Sequence, residues 1–447
     1  MEYLIKDVYI VNEGSIIHGS VLIENEFIKE IIPASQDFII SPHTQIINGE
    51  GKYLLPGIID CHVHFREPGL TNKANIVSES KAAIIGGVTS YMEMPNTLPN
   101  ATSNLILEEK YKIASENSLA NYSFYIGANN NNIKEIEKID RTKICGVKVF
   151  LGASTGNMLV NGEQVLNELF SINDIIIAAH CEDEDIINSN IQFYKNKYGE
   201  DVPSSIHPLI RNAEACYQAS SKAIERANKY NTRLHLTHLS TKKELALLDN
   251  NIPIEQKKIT AEACVHHLWF NDTYYSSLGN LIKCNPAIKT ENDRKALIEA
   301  LTTKHIDIVS TDHAPHTIEE KQQKYFQSPS GIPLVQHSLN IMLELSQTNN
   351  FTIEAIVEKM CHNPAIIFSI QKRGFVRKGY YADIILVDTK TNYTVNKNNI
   401  MYKCAWSPLE GVSFSSIVTH SFVNGNLVLE NGNLNTSIKG NRLIFDR

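Results

Sequence analysis

Eight short apolar runs alternate with helical stretches through the middle of the chain, and this alternation constrains the fold most. The runs are LLPGIIDCHVH, VTSYMEM, NYSFYIGA, GVKVFL, DIIIAAH, TRLHLTHL, KITAEA and IDIVSTD. Apolar strands that alternate with amphipathic helices indicate a parallel sheet covered on both faces. Eight such units predict a (β/α)8 TIM barrel, with an open doubly wound sheet as the alternative. The first run lacks a following GxGxxG, so dinucleotide binding has no support.

The two ends of the chain are built differently from the middle. Residues 1–52 and 371–447 contain short strand patterns separated by Gly and Asn turns, such as YLIKDVYIV and SIVTHSFVNGN. Neither end holds enough strands for a sandwich of its own, so they are either two separate caps or one small β-sandwich made from both termini. The barrel pattern lies between them, over residues 53–370, and the strand patterns of the termini leave both possibilities open.

Composition excludes several classes of function. The chain has 447 residues, a net charge of −7 and a pI near 6.2, without basic tracts. We therefore expect no binding to nucleic acid or to an anionic membrane. It has neither a signal-peptide pattern nor an apolar run of membrane-spanning length. The eight cysteines form no CxxC pair, which is typical of a protein in a reducing cytoplasm.

Histidines follow the predicted strands in a pattern that favours a metal site. Residues i and i+2 of a strand share a face, so His62 and His64 point the same way at the end of the first barrel strand. The fifth strand ends at His180, the sixth reaches His238 and the eighth ends at Asp312. Packed or solvated histidines are the alternative for any one of these. Five such residues at one end of a barrel suit Zn²⁺.

Lys148, in GVKVFL on the fourth strand, has apolar neighbours and is expected to point into the barrel. An unpaired ammonium there is costly, so one interpretation pairs it with a nearby carboxylate. The other is that burial lowers its pKa and the free amine takes up CO₂. The resulting carbamate would bridge two metals, which accounts for more ligands than one tetrahedral zinc needs.

A set of motifs in order along the chain resembles the dihydroorotase family of cyclic-amide hydrolases, within the amidohydrolase superfamily. They are GIIDCHVHFREPG, EMPNTLP, KVFLGASTGNM, AAHCED, HLTHLST, NPAIK and TDHAPHT. The resemblance implies a zinc-dependent barrel flanked by a β-sandwich from both termini. It also implies a small-molecule substrate, dihydroorotate or N-carbamoyl-L-aspartate, in pyrimidine synthesis.

The same resemblance implies roles for individual residues. His62, His64 and Asp312 match ligands of a first zinc, and His180 and His238 match ligands of a second. Lys148 matches a lysine that many members carboxylate as the bridge. Asp312 would also carry the proton from the attacking water to the leaving ring nitrogen. Substrate binding falls to five residues: Arg66, Asn96, Asn285, His316 and the backbone near Gly331.

Arg66 separates this interpretation from its rivals. We expect it to continue the face of His62 and His64 and to offer a guanidinium fork to the substrate carboxylate. Hydantoinases and allantoinases share the barrel and metals but generally lack this arginine. A catalytically inactive structural subunit is the other rival, and the filled ligand positions argue against it. A homodimer is expected from the fold class, and residues 317–333 are a candidate lid.

Overall fold

A computed structural model describes residues 2–36, 41–152, 158–160 and 162–447 of the chain; residues 153–157 of the KVFLGASTGNM motif lie outside this part. The strands are β1 (Glu2–Asn12), β2 (Ser15–Glu24), β3 (Phe27–Pro33), β4 (Gln45–Asn48), β5 (Tyr53–Pro56), β6 (Ile58–Val63), β7 (Val88–Glu93), β8 (Asn121–Phe124), β9 (Ile126–Gly127), β10 (Val147–Leu151), β11 (Ile176–Cys181), β12 (Arg233–Leu236), β13 (Ile259–Cys264), β14 (Ile308–Ser310), β15 (Ile384–Asp388), β16 (Tyr393–Thr394), β17 (Ser413–Phe414), β18 (Ile417–Val423), β19 (Asn426–Glu430) and β20 (Asn433–Leu434).

The α-helices are α1 (Ile76–Ile85), α2 (Asn104–Asn117), α3 (Ile133–Lys138), α4 (Glu163–Ser171), α5 (Glu184–Tyr198), α6 (His207–Ile210), α7 (Ala213–Tyr230), α8 (Lys242–Leu245), α9 (Val265–Trp269), α10 (Tyr275–Leu278), α11 (Glu291–Thr302), α12 (Ile318–Lys321), α13 (Ser338–Thr348), α14 (Ile353–Val357) and α15 (Asn363–Phe368). Polar caps begin several of them. Asn75 caps α1 by accepting from the Ser78 N–H, and Thr290 does the same for α11 with Asp293.

Parallel strands form a closed barrel in the middle of the chain. β6, β7 and β8 pair in that order, and β9 to β14 pair in chain order. β8 and β9 are two parts of one run, separated by Tyr125 alone. The ring closes where Val63 bridges His313 and the His64 N–H donates to the His313 carbonyl at 2.7 Å. The predicted (β/α)8 barrel is confirmed, and the open doubly wound alternative is wrong.

The barrel strands are apolar because both of their faces are covered. Every residue of β6, β7 and β11 is buried, so these strands lack the alternation of a half-exposed sheet. The loops that follow the strands all leave from one end of the barrel, which is where such folds build their active sites.

The two termini meet in one sheet, which confirms the joined β-domain. Its strands lie in the order β20, β19, β18, β15, β5, β1, β2, β3, and β4 pairs with the free edge of β1 near Tyr3. β5 links the two halves, since it pairs with β1 in parallel and with β15 antiparallel. This strand lies just past residue 52, so the sheet takes in the first residues of the segment predicted as barrel. No helix in the described part of the chain is long and apolar enough to cross a membrane.

Candidate active site

One cavity at the C-terminal end of the barrel strands collects the residues that the sequence singles out. It has a volume of ≈ 220 Å³. Its lining includes every predicted site residue: His62, His64, Arg66, Asn96, Lys148, His180, His238, Asn285, Asp312, His316 and Gly331. These residues span about 270 positions of sequence and come from different strands, so the barrel itself brings them together.

The first group of possible metal ligands is His62, His64 and Asp312. One carboxylate oxygen, Asp312 Oδ1, lies 3.2 Å from His62 Nε2 and 3.0 Å from His64 Nε2. Burial lowers the pKa of His64 to about 4. Burial alone would raise the pKa of Asp312, but the neighbouring His62 and His64 outweigh it and hold this pKa below its usual range. Two imidazole nitrogens and a carboxylate oxygen therefore converge on one point.

The outer nitrogens of these two rings are held by hydrogen bonds. Glu262 Oε1 lies 2.5 Å from His62 Nδ1, and Asn96 Oδ1 lies 2.7 Å from His64 Nδ1. Because a carboxylate and an amide oxygen only accept, each ring carries its proton on Nδ1. The Nε2 lone pairs then face Asp312 and the cavity. This is the arrangement that protein metal sites use to fix the tautomer of a ligand histidine.

A second group lies beside the first. His180 Nδ1 is 2.9 Å from His238 Nε2, and His180 Nε2 is 3.0 Å from Glu182 Oε2. Burial lowers the pKa of both histidines. Burial alone would raise the pKa of Glu182, yet Arg211 and His180 bring it down to about 2. Glu182 is thus a carboxylate that orients His180 so that Nδ1 faces His238.

Lys148 lies at the floor of the cavity, on β10. Its side chain is among the largest fully buried ones, and its Nζ donates to Thr237 Oγ1 at 3.0 Å. Burial lowers the pKa of Lys148 to about 8. A free amine is therefore accessible near neutral pH, which is the form that can react with CO₂.

Three site residues have backbones in the left-handed region. They are Arg66, His238 and Asp312, with φ of 69°, 41° and 45°. Such conformations are unfavourable outside glycine and cluster where function requires them. The expectation that Arg66 continues the strand face of His62 and His64 is wrong, since β6 ends at Val63 and Arg66, with its positive φ, begins the turn that follows. His238 and Asp312 likewise lie past the ends of β12 and β14.

Arg66 and His316 form another wall of the cavity. Arg66 Nε donates to the Pro315 carbonyl at 3.1 Å, and its Nη2 lies 3.1 Å from His316 Nε2. Asn285 Oδ1 accepts from Ser330 Oγ at 3.0 Å.

Gly331 completes this wall through its shape. Its N–H already donates to the Lys283 carbonyl at 2.9 Å, and its carbonyl accepts from Lys321 Nζ at 2.9 Å. A Cβ at this position would lie 2.3 Å from the Ala314 carbonyl oxygen. Only glycine fits here, and both of its own backbone groups are engaged within the protein.

Sequence reasoning missed several residues that support the site. Glu262, Glu182, Lys73 and Lys321 are not among the predicted residues, although a lone carboxylate inside the apolar run KITAEA is a signal for Glu262. Asp60, a buried residue of β6, also supports the site. It accepts from the His62 N–H and from Thr311 Oγ1, and burial raises its pKa to about 7.

The donor set fits a divalent metal centre. His62, His64 and Asp312 place three ligand atoms within 4.8 Å of one another. The rings of His62, His64 and His180 are oriented by Glu262, Asn96 and Glu182, and the nitrogens left for coordination point to the cavity. Neutral imidazoles with one carboxylate are ligands that zinc and similar metals prefer.

Comparison with known proteins defines the class. The profile of the amidohydrolase family matches residues 53–428. The L-hydantoinase (dihydropyrimidinase) from Arthrobacter aurescens has the same fold, with a TM-score of 0.91 at 24% identity over 97% of each chain. The chain therefore belongs to the amidohydrolase family. With dihydroorotases among its curated relatives, it is a hydrolase of the kind that acts on cyclic amide bonds.

Two curated relatives are similar to this chain over more than nine-tenths of its length. The dihydroorotase of Methanosphaera stadtmanae is 30% identical over 419 residues, which cover 93% of this chain and 94% of the relative. The dihydroorotase of Carboxydothermus hydrogenoformans is 33% identical over 419 residues, which cover 92% and 94%.

Proposed function

We propose that the protein is a zinc-dependent dihydroorotase, which interconverts N-carbamoyl-L-aspartate and dihydroorotate in pyrimidine biosynthesis. One observation carries this proposal. The cavity that holds the candidate metal ligands also carries the Arg66 guanidinium beside His316 in its lining. A cyclic amide with one free carboxylate needs both features, whereas a neutral hydantoin needs only the first. The curated relatives named dihydroorotase support the same choice.

Each set of residues has a role in this proposal. His62, His64 and Asp312 would hold one Zn²⁺ and His180 and His238 another, with a carboxylated Lys148 between them. Two bound zinc ions would polarise the ring amide carbonyl and lower the pKa of the attacking water. Asp312 takes the proton of that water and returns it to the leaving ring nitrogen, so that one carboxylate is base and then acid.

Substrate binding belongs to the wall that carries Arg66, His316 and Gly331, which we call the substrate wall. Arg66 and His316 bind the ring carboxylate, and Asn96 and Asn285 contribute amide groups from two loops. Asn96 also holds His64 through its Oδ1, so it ties the substrate wall to the metal ligands. Because Gly331 has no side chain, we expect the substrate to approach this wall closely. A cytoplasmic homodimer remains the expectation from the sequence.

A direct assay tests the function. Purified protein with zinc and bicarbonate is assayed on dihydroorotate, hydantoin and allantoin, with its metal content measured in the same preparation. We expect hydrolysis of dihydroorotate by far the fastest and two zinc ions per chain. Preference for hydantoin or allantoin would contradict the substrate assignment. Protein that stays metal-free and inactive would favour a structural subunit.

Substitution of Arg66 tests the carboxylate role. Arg66→Ala is expected to lower kcat/KM for dihydroorotate by roughly 30-fold or more, because a buried charge pair loses about 2 kcal/mol or more when one partner is removed. Metal content should not change. Arg66→Lys is the matched control. It keeps the positive charge but loses the planar guanidinium, so its kcat/KM should lie between those of the wild type and Arg66→Ala. Unaltered kcat/KM in Arg66→Ala would remove this role.

A further inference from the structure

Lys73 lies behind the substrate wall, in the loop between β6 and α1. Its Nζ is 3.1 Å from His316 Nδ1 and 2.8 Å from Glu320 Oε1. Its side chain is only 14% exposed. Lys73 does not line the cavity, but it contacts a residue that does. Its chemistry decides what His316 presents to a ligand.

The contact fixes the tautomer of His316. An ammonium group has three donors and no acceptor, so Lys73 can only donate to His316 Nδ1. Nδ1 must then carry the lone pair, and the ring proton must lie on Nε2. The neighbouring carbonyl agrees with this assignment, because His316 Nε2 lies 3.0 Å from the Ser330 carbonyl oxygen, which can only accept.

The surroundings of His316 also keep the ring neutral. Burial lowers the pKa of His316 well below its usual range, and the charges of Arg66, Lys73 and Lys321 lower it further. Among the residues that the structure describes, Glu320 is the one carboxylate that pairs with the ring, with Oε2 3.7 Å from Nδ1, and it is engaged by Lys73. Protonation of Nδ1 would place two cationic donors 3.1 Å apart.

His316 and Arg66 therefore form a pair of donors. Arg66 Nη2 also lies 3.1 Å from His316 Nε2, and a guanidinium can only donate, so this contact alone would favour a lone pair on Nε2. The Lys73 and Ser330 contacts both favour the proton on Nε2, and in that tautomer Arg66 and His316 present two donors side by side. Both groups line the cavity. A carboxylate in front of them would accept from both, and His316 Nε2–H would exchange the Ser330 carbonyl for the ligand. Arg66, Lys73 and Lys321 supply positive charge around this point and Glu320 offsets part of it, so the site suits a carboxylate.

We propose that Lys73 is a positioning residue that fixes His316 as an Nε2–H donor and so completes, with Arg66, the recognition of the substrate carboxylate. This inference rests on the proposed function for the identity of the substrate. The structural part, the tautomer of His316, does not depend on it.

The kinetic test compares an acidic and a neutral substrate. In Lys73→Met we expect KM for dihydroorotate to rise about 10- to 100-fold, the range for loss of a hydrogen bond to a charged group, with a smaller change in kcat. Turnover of dihydrouracil, which lacks the carboxylate, should hardly change, so discrimination between the two falls. Lys73→Arg should keep most of this discrimination between the two substrates, because arginine also only donates. Lys81→Met, on α1 outside the cavity lining, is the control.

The spectroscopic test needs no substrate. ¹⁵N spectra of histidine-labelled protein, with His316→Gln to assign the signals, report which ring nitrogen carries the proton. We expect a protonated Nε2 in the wild type and in Lys73→Arg, and a mixture of tautomers in Lys73→Met. A protonated Nδ1 in the wild type, or an unchanged tautomer and unchanged KM in Lys73→Met, would overturn the inference. Wild-type protein inactive on dihydroorotate would refute the proposed function and leave the tautomer test standing.

Discussion

Buried glutamates hold the imidazole rings that face the cavity. Glu262 contacts His62 Nδ1 through one oxygen and His235 Nε2 through the other, and it also accepts from the His238 N–H. Burial alone would raise the pKa of Glu262, but the two histidines outweigh it and keep the carboxylate ionised. One side chain thus links both groups of candidate ligands.

Glu262→Gln is expected to weaken zinc binding about 10- to 100-fold, since an amide is a poorer acceptor for the His62 N–H than a carboxylate. Competition with a chelator measures this affinity directly. Glu244→Gln is the matched control, because Glu244 is also buried but bonds to Ser220 and Thr241. Equal zinc affinity in the two variants would contradict the role of Glu262.

Glu182 makes stability depend on pH. Its pKa is about 2 in the folded protein and near 4.5 when exposed. It therefore contributes stability above pH 4.5 that is lost as the pH falls from about 4.5 toward 2, on the order of 3 kcal/mol for this shift. Urea unfolding between pH 6 and 3 should show a shallower pH dependence in Glu182→Gln than in the wild type. Glu168→Gln, at an exposed position, should leave the slope unchanged, and equal slopes in all three proteins would refute the assignment.

At the scale of elements, two buried lysines hold residues 317–333, the segment that borders the cavity. Lys321 Nζ donates to the carbonyls of Lys283, Pro329 and Gly331 at 3.1, 2.9 and 2.9 Å. Lys283 Nζ donates to the carbonyls of Tyr325 and Ser328. Residues 317–333, which the sequence suggests as a lid, are therefore held by two buried lysine side chains. Lys321 belongs to this segment, and Lys283 reaches it from the loop before α11.

Lys321→Met should loosen this segment. We expect faster amide exchange over residues 325–331 and a higher KM for dihydroorotate, because hydrogen bonds to a charged group contribute about 1.5–3 kcal/mol. Lys324→Met is the control, since that side chain is 63% exposed. Exchange rates that match the wild type in Lys321→Met would show that the lysine does not hold the loop.

At the scale of the whole molecule, Asp383 ties the terminal sheet to the barrel. It lies just before β15, pairs with Arg373, accepts from Asn121 Nδ2 at 3.1 Å and accepts from the Asn424 N–H at 2.7 Å. Asn121 belongs to β8 of the barrel. Both charged partners are almost completely buried.

Asp383→Ala is expected to destabilise the protein by about 3–5 kcal/mol, because it leaves the Arg373 guanidinium buried without its carboxylate. Chemical denaturation measures the change, and sheet and barrel should unfold together. Asp388→Ala, at the partly exposed end of β15, is the matched control. A loss no larger than that of the control would show that the ion pair does not join the two parts.

Much of this fold follows from local sequence pattern. The eight apolar runs correspond to the barrel strands, because strands buried on both faces cannot alternate with polar residues. The candidate ligand positions were predictable for the same reason, since they stand at the ends of those runs. The pattern fails at strand ends. Pro68 and Gly69 mark the turn that follows, but no local pattern gives the left-handed backbone of Arg66 itself.

From burial and periodicity, which act over neighbouring residues, the sequence by itself determined the barrel and the histidines at the ends of its strands. The joining of the termini and the other residues of the cavity followed from the resemblance to dihydroorotases. Only the tertiary structure decided which side chains orient the residues of the cavity. Lys73 reaches His316 across 243 positions, and Glu262 reaches His62 across 200. In sequence Lys321 and Lys324 look alike, yet one is buried and the other exposed. Such contacts depend on how the loops pack over the barrel end, and no local pattern encodes that.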